Sequence, residues 1–224
     1  MEQRLINIYN DIINDENLEQ VKDYFNQKCY LTNLDFGKLV AYFVENCPED
    51  KVHLLDIIFH SQKFKEKNTC YDRFGEPIVH CILYAIAAKT NKDYFIGLLF
   101  DKTVPWNWMM YSGSIENSLH IIASLCDTYG KTLTHSLVDL AIENGVCPID
   151  RNDSNISPIE IFKYDHVEEG LTEEERNEII VKLESSLEEF TITLASDIYD
   201  DIKEEVKTSE KTTSTTSLVP AIVS

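Results

Sequence analysis

Residues 133–162 read LTHSLVDLAIENGVCPIDRNDSNISPIEIF. Leu137, Val138, Leu140, Ala141 and Ile142 recur at helical spacing, which predicts one buried helix face. Asn144-Gly145 then supplies a stop, because glycine takes the left-handed conformation that ends a helix without steric cost. Pro148 cannot continue a helix: it lacks an N–H and pushes Cys147 into an extended conformation. Ser157-Pro158 restarts one, with Ser157 as cap and Pro158 at the first helical position. The stretch predicts helix, sharp stop, extended loop and new helix, so the next question is whether that unit recurs.

It recurs with a fixed period. Val79-His80, Leu119-His120 and Ile159-Glu160 are each 40 residues apart, and one further step back lies Leu39-Val40. Val104-Pro105-Trp106-Asn107 echoes Cys147-Pro148-Ile149-Asp150. Three repeats are read near 68–107, 112–150 and 152–190, with a degenerate one near 29–67.

These residues resemble the ankyrin repeat family. Glu143-Asn144-Gly145-Val146-Cys147-Pro148 looks like that family's end-of-repeat pattern. Asn155-Ile156-Ser157-Pro158-Ile159 looks like its Gly-x-Thr-Pro-Leu start, with Asn155 in the glycine place. Asp72-Arg73-Phe74-Gly75-Glu76-Pro77-Ile78-Val79-His80 and Asn117-Ser118-Leu119-His120 resemble its Thr-Pro-Leu-His start. The family's usual period is about 33 residues, whereas here it is 40, with the surplus at Ala88–Asp93 and Cys126–Lys131. A period of about 40 also suits HEAT or armadillo repeats.

The expected fold is therefore all-α, an ankyrin-repeat-like solenoid of paired antiparallel helices with a disordered acidic C-terminal tail. Residues 1–28 are expected to cap it, 29–190 to form the repeats and 191–224 to form the tail. Residues 2–14 carry Leu5, Ile8, Tyr9, Ile12 and Ile13 on one face, followed by Leu18, Val21, Tyr24 and Phe25. Such a pair can cover the open end of a repeat core. Asp35 is expected to cap a helix reaching Cys47-Pro48, and Val52 to Phe59 to form the next one. Residues 60–71 read as a polar loop. Thr172-Glu173-Glu174-Glu175 is a capping box. The tail from Lys207 is too poor in apolar residues to order itself.

The net charge is −19, and residues 167–211 hold 15 acids against 5 bases, roughly half of it. Such acidity argues against direct binding of nucleic acid, whose phosphates need lysine and arginine. It admits a basic protein partner. The N-terminus lacks a basic head followed by a continuous apolar run, and no stretch approaches 18 apolar residues, so neither a signal peptide nor a membrane span is expected. Cytosol or nucleus is the expected compartment, with the six cysteines reduced. None of these cysteines has Cys-x-x-Cys spacing, and the six histidines are scattered, so no metal and no cofactor are expected. Phosphate loops, His-Glu-x-x-His and Gly-x-Ser-x-Gly are missing, so no enzymatic activity is expected.

The resemblance implies protein–protein interaction through loop fingers and a concave helix face, as adaptor, scaffold or inhibitor. The fingers fall near 68–75, 104–114 and 147–155. The second holds Trp106, Trp108, Met109, Met110 and Tyr111; tryptophan and tyrosine dominate binding energy at protein interfaces. Arg73, Phe74, Arg151 and Asp153 are further partner-binding candidates. His80, His120, Gly75, Pro77, Gly145, Pro148, Ser157 and Pro158 take the family's structural positions, the histidines by bonding neighbouring loop backbone. The few repeats and acidic Ser/Thr-rich tail also resemble the inhibitor-of-NF-kappa-B family, although its paired-serine signal is missing. A HEAT-like structural subunit is the alternative of another class. Nothing in the sequence sets the oligomeric state.

Overall fold

The computed structural model describes residues 3–15, 17–28, 30–66, 77–88, 92–101, 104, 106, 116–164 and 170–187. The chain divides into two compact units, Met1–Val181 and Lys182–Ser224. In the second unit residues 182–187 are described and helical; the expected tail, 191–224, lies outside the described residues.

Every regular element described in the first unit is a helix. The α-helices are α1 (Gln3–Asn14), α2 (Leu18–Asp23), α3 (Asn33–Asn46), α4 (His53–Phe59), α5 (Gln62–Glu66), α6 (Ile78–Ala88), α7 (Lys92–Phe100), α8 (Ser118–Ser124), α9 (Cys126–Tyr129), α10 (Lys131–Glu143) and α11 (Pro158–Tyr164). A further helical stretch begins at residue 173. The starts of α6, α8 and α11 keep the 40-residue spacing of the sequence.

Packing follows the same order. α3 packs on α6, α6 on α8 and α8 on α11, while α7 lies against α6 and α10 against α8. At the N-terminal end α1 packs on α3 and α2 on α4. α6 is apolar nearly all round, and eight of its eleven residues are buried, as a helix sandwiched between neighbours requires. The core continues from unit to unit through the fully buried Phe25, Phe36, Phe43, Phe59, Phe95 and Phe162.

Local chemistry sets the boundaries. Thr32, rather than the expected Asp35, caps α3: its hydroxyl accepts the Asp35 N–H at 3.1 Å. The aspartate sits one turn in, where a carboxylate suits the positive end of the helix dipole. Cys47 ends α3 before Pro48. The expected loop over 60–71 holds α5, anchored by one side chain: Phe64 is buried and meets the Phe59 ring edge-on at 4.9 Å. A single apolar residue among lysines left no periodicity to read. The surplus residues between α8 and α10 form α9, whose buried Tyr129 donates its hydroxyl to the Leu83 carbonyl at 2.8 Å. None of the described helices is long and apolar enough to cross a membrane.

Candidate functional site

The turn from α10 to α11 is built almost wholly by local bonds. Gly145 adopts φ 78°. Its N–H donates to Ile142 and that of Val146 to Ala141, at 2.9 and 3.0 Å. This pair of bonds is the Schellman closure of a helix end. Pro148 is buried and Ile149 faces out. Asn152 then organises the loop: its carbonyl side chain accepts the Ser154 and Ile156 N–H groups at 3.1 and 3.0 Å. Asn155 takes φ 61°, the left-handed region that glycine and asparagine enter most readily. The new helix opens with a reciprocal cap. Glu160 accepts the Ser157 N–H at 2.7 Å, and Ser157 Oγ accepts the Glu160 N–H at 3.3 Å.

Arg151 straps this loop to the helix, donating to both Glu160 oxygens at 3.1 and 3.2 Å and to the Asn155 carbonyl. The Ser157 bonds first, then Arg151, hold the Glu160 carboxyl below the usual carboxylate range. Asp153 is exposed at the loop tip.

The preceding unit is tied to this loop through buried polar groups. The side chain of Asn117 and that of His120 cap α8 reciprocally: Asn117 Oδ1 accepts the His120 N–H at 3.2 Å and His120 Nδ1 accepts the Asn117 N–H at 3.0 Å. That assigns the ring proton to Nε2, which donates across to the Ile156 carbonyl at 3.0 Å. Asn117 Nδ2 also donates to the Cys147 carbonyl at 2.8 Å. Burial lowers the His120 pKa, which keeps the ring neutral and preserves its acceptor.

These ties leave several apolar side chains in solvent. Ile149 is 53% exposed, Ile156 40% and Tyr164 78%. Asn155, Ile156, Glu160, Ile161 and Tyr164 line a shallow concavity of about 390 Å³. An apolar surface carried on a backbone held this firmly is poised to bind with little loss of conformational entropy. The strained position is testable. Asn155→Ala places a β-carbon in the left-handed region and is expected to cost about 1 kcal/mol in urea unfolding, whereas Asn155→Gly is expected to be near neutral.

The other expected residues divide. Pro77 is buried at the start of α6, and Ser157 and Pro158 are buried at the start of α11. His80 is fully buried in α6, and neither ring nitrogen has a hydrogen-bond partner among the described residues. Trp106, expected to meet a partner, is only 5% exposed. Its indole is spent on packing, which corrects its assignment to a binding surface. Arg73, Phe74, Gly75, Trp108, Met109, Met110 and Tyr111 lie outside the described residues. The roles of Asn117 and Tyr129, which reach backbone carbonyls of other repeats, and of Asn152, which closes its own loop, were not read from the sequence. Gly170 was missed as well; its hydrogen stands where Asp127 Oδ1 approaches. A legible signal existed only for Asn117, an Asn directly before an apolar run.

Among the described residues no group of three or more His, Cys, Asp or Glu is placed to hold a metal ion. Cys126 is buried, and burial raises its thiol pKa to about 11, so it is a poor nucleophile.

No family model matches the chain, and no solved structure matches it. Over 130 residues, 57% of this chain, it is 22% identical to the N-acetylmuramoyl-L-alanine amidase CwlL of Bacillus licheniformis. The match covers 31% of that protein's length. The expectation that the chain is not an enzyme is overturned by this similarity to part of an enzyme.

Proposed function

We propose that residues 29–181 form an ankyrin-type helical repeat module that binds another protein through the face of residues 149–164. The observation that carries this reading is the combination of a hydrogen-bonded loop with an exposed apolar concavity lined by Ile156, Ile161 and Tyr164. The bond from His120 to the Ile156 carbonyl favours the ankyrin-type over the HEAT-like reading, because it links one repeat's start to the next repeat's loop. With a net charge of −19, the partner is a protein of basic surface rather than nucleic acid or membrane. Its role is that of adaptor, scaffold or inhibitor, in cytoplasm or nucleus.

The test is capture from native extract by the chain, by Ile156→Ser/Tyr164→Ala and by Trp108→Ala/Tyr111→Ala. Ile156 and Tyr164 are surface positions, so the circular dichroism of the first variant should remain unchanged. Loss of a discrete partner with the first variant, with affinity down roughly 30-fold as for an interface hot spot, supports the reading. Undiminished capture by both variants refutes it.

A second reading rests on the 130-residue similarity to the amidase. In it the chain acts on, or recognises, an N-acetylmuramoyl-L-alanine linkage. Incubation with a muramoyl-L-alanine peptide, followed by mass spectrometry, separates the two. Cleavage supports the second reading, and an intact substrate together with a captured protein supports the first.

A further inference from the structure

We propose that the groove between α1 and α2 is a separate docking site for a lysine-bearing segment of a protein partner. Ile8, Asp11 and Ile12 fall at positions i, i+3 and i+4 and so share one face at the end of α1, and Asp15 follows the helix directly. Gln20, Val21 and Tyr24 face them, and the space enclosed is about 520 Å³. Ile12 and Val21 are buried and form the floor, while Ile8 is half-buried. Asp11, on α1, and Asp15, just past its end, both line the groove. Asp15 accepts the Asn17 N–H at 2.8 Å with one oxygen. Among the described residues no basic side chain lines the groove.

Two carboxylates over an apolar floor, with no lining cation, complement one kind of side chain. The methylenes of a lysine lie on Ile8, Ile12 and Val21 while its ammonium reaches the two aspartates. The Tyr24 ring beside them adds a cation–π contact. The groove exceeds the volume of one alkyl stem. It therefore has room for an apolar neighbour of the lysine, which a free polyamine does not carry. The site lies on helices outside the 149–164 face and stands whether or not that face binds.

The test is a heteronuclear NMR titration of the full chain with a capped peptide of alternating lysine and leucine. The same titration is run with a glutamate-for-lysine peptide and with spermidine. The lysine peptide is expected to shift the amides of α1 and α2, and the glutamate peptide to leave them unmoved. Asp11→Asn/Asp15→Asn is expected to weaken binding roughly 5- to 10-fold, as for two exposed ion pairs. Asparagine at 15 retains the oxygen that accepts from Asn17, so the fold is kept. The proposal is overturned if the lysine peptide shifts only amides elsewhere, if the double variant binds equally well, or if spermidine shifts the same amides with equal affinity.

Discussion

Gly170→Ala is expected to cost about 3 kcal/mol of stability, roughly the sum of an overpacking penalty and a lost buried hydrogen bond. A β-carbon at residue 170 would lie 1.6 Å from Asp127 Oδ1 and 2.6 Å from Asp127 Cβ. Rotating the carboxylate away breaks its bond from the Leu171 N–H, which is 2.8 Å long. That bond holds the segment entering the helix at 173 against α9, so either response loosens the same junction. Asp127→Ala alone removes the bond and is expected to cost about 1–2 kcal/mol. In the Gly170→Ala/Asp127→Ala double variant the contacts with the carboxylate are gone, a 2.6 Å approach of the two β-carbons remains, and the Leu171 bond is lost only once, so the two costs should fall short of additivity by about 1 kcal/mol. Urea unfolding of the four proteins checks this, and simple additivity would remove Asp127 as the reason for the glycine.

Acid is expected to destabilise the first unit well before its carboxylates protonate. His80 is fully buried, and burial, reinforced by the neighbouring His120, lowers its pKa to about 3. In the unfolded chain a histidine titrates near 6.5. Between those values the unfolded state binds a proton that the folded state refuses, so stability falls as pH falls. The contribution is whole above about pH 6.5 and is lost progressively towards pH 3; at pH 5 the loss amounts to about 2 kcal/mol from His80. His120 is lowered in the same direction and adds to the slope. His80→Leu is expected to retain more of its neutral-pH stability at pH 5 than the native chain does. An equal drop in both proteins between pH 7.5 and 5 would exclude His80 as its source.

The helix pairs and their 40-residue spacing were legible because both signals are local. Apolar periodicity marks the buried faces, and Gly145, Pro148 and Ser157-Pro158 punctuate them within a few residues. The Ser157 cap and the Thr172–Glu175 capping box are likewise short-range, and both hold in the structure. Phe64 shows where such reading ends: one phenylalanine between lysines has no period, yet it anchors a helix. Gly170 and Asp127 are 43 residues apart, and only the folded chain brings them together. The 147–157 finger could be located from its stop and restart. Its exposed Ile149 and Ile156 could not be separated in sequence from buried neighbours such as Val146, because irregular loops have no periodicity to assign sides.

Site-specific photo-cross-linking tests the central claim most directly. A photoreactive phenylalanine analogue replaces Tyr164 on the α11 face, or Asp139 on α10 as a control, and the chain is irradiated in native extract. The account predicts one discrete adduct from position 164, none from position 139, and loss of the adduct when Ile156→Ser is added. The absence of an adduct at 164, or the same adducts from both positions, would contradict a protein-binding surface at residues 149–164.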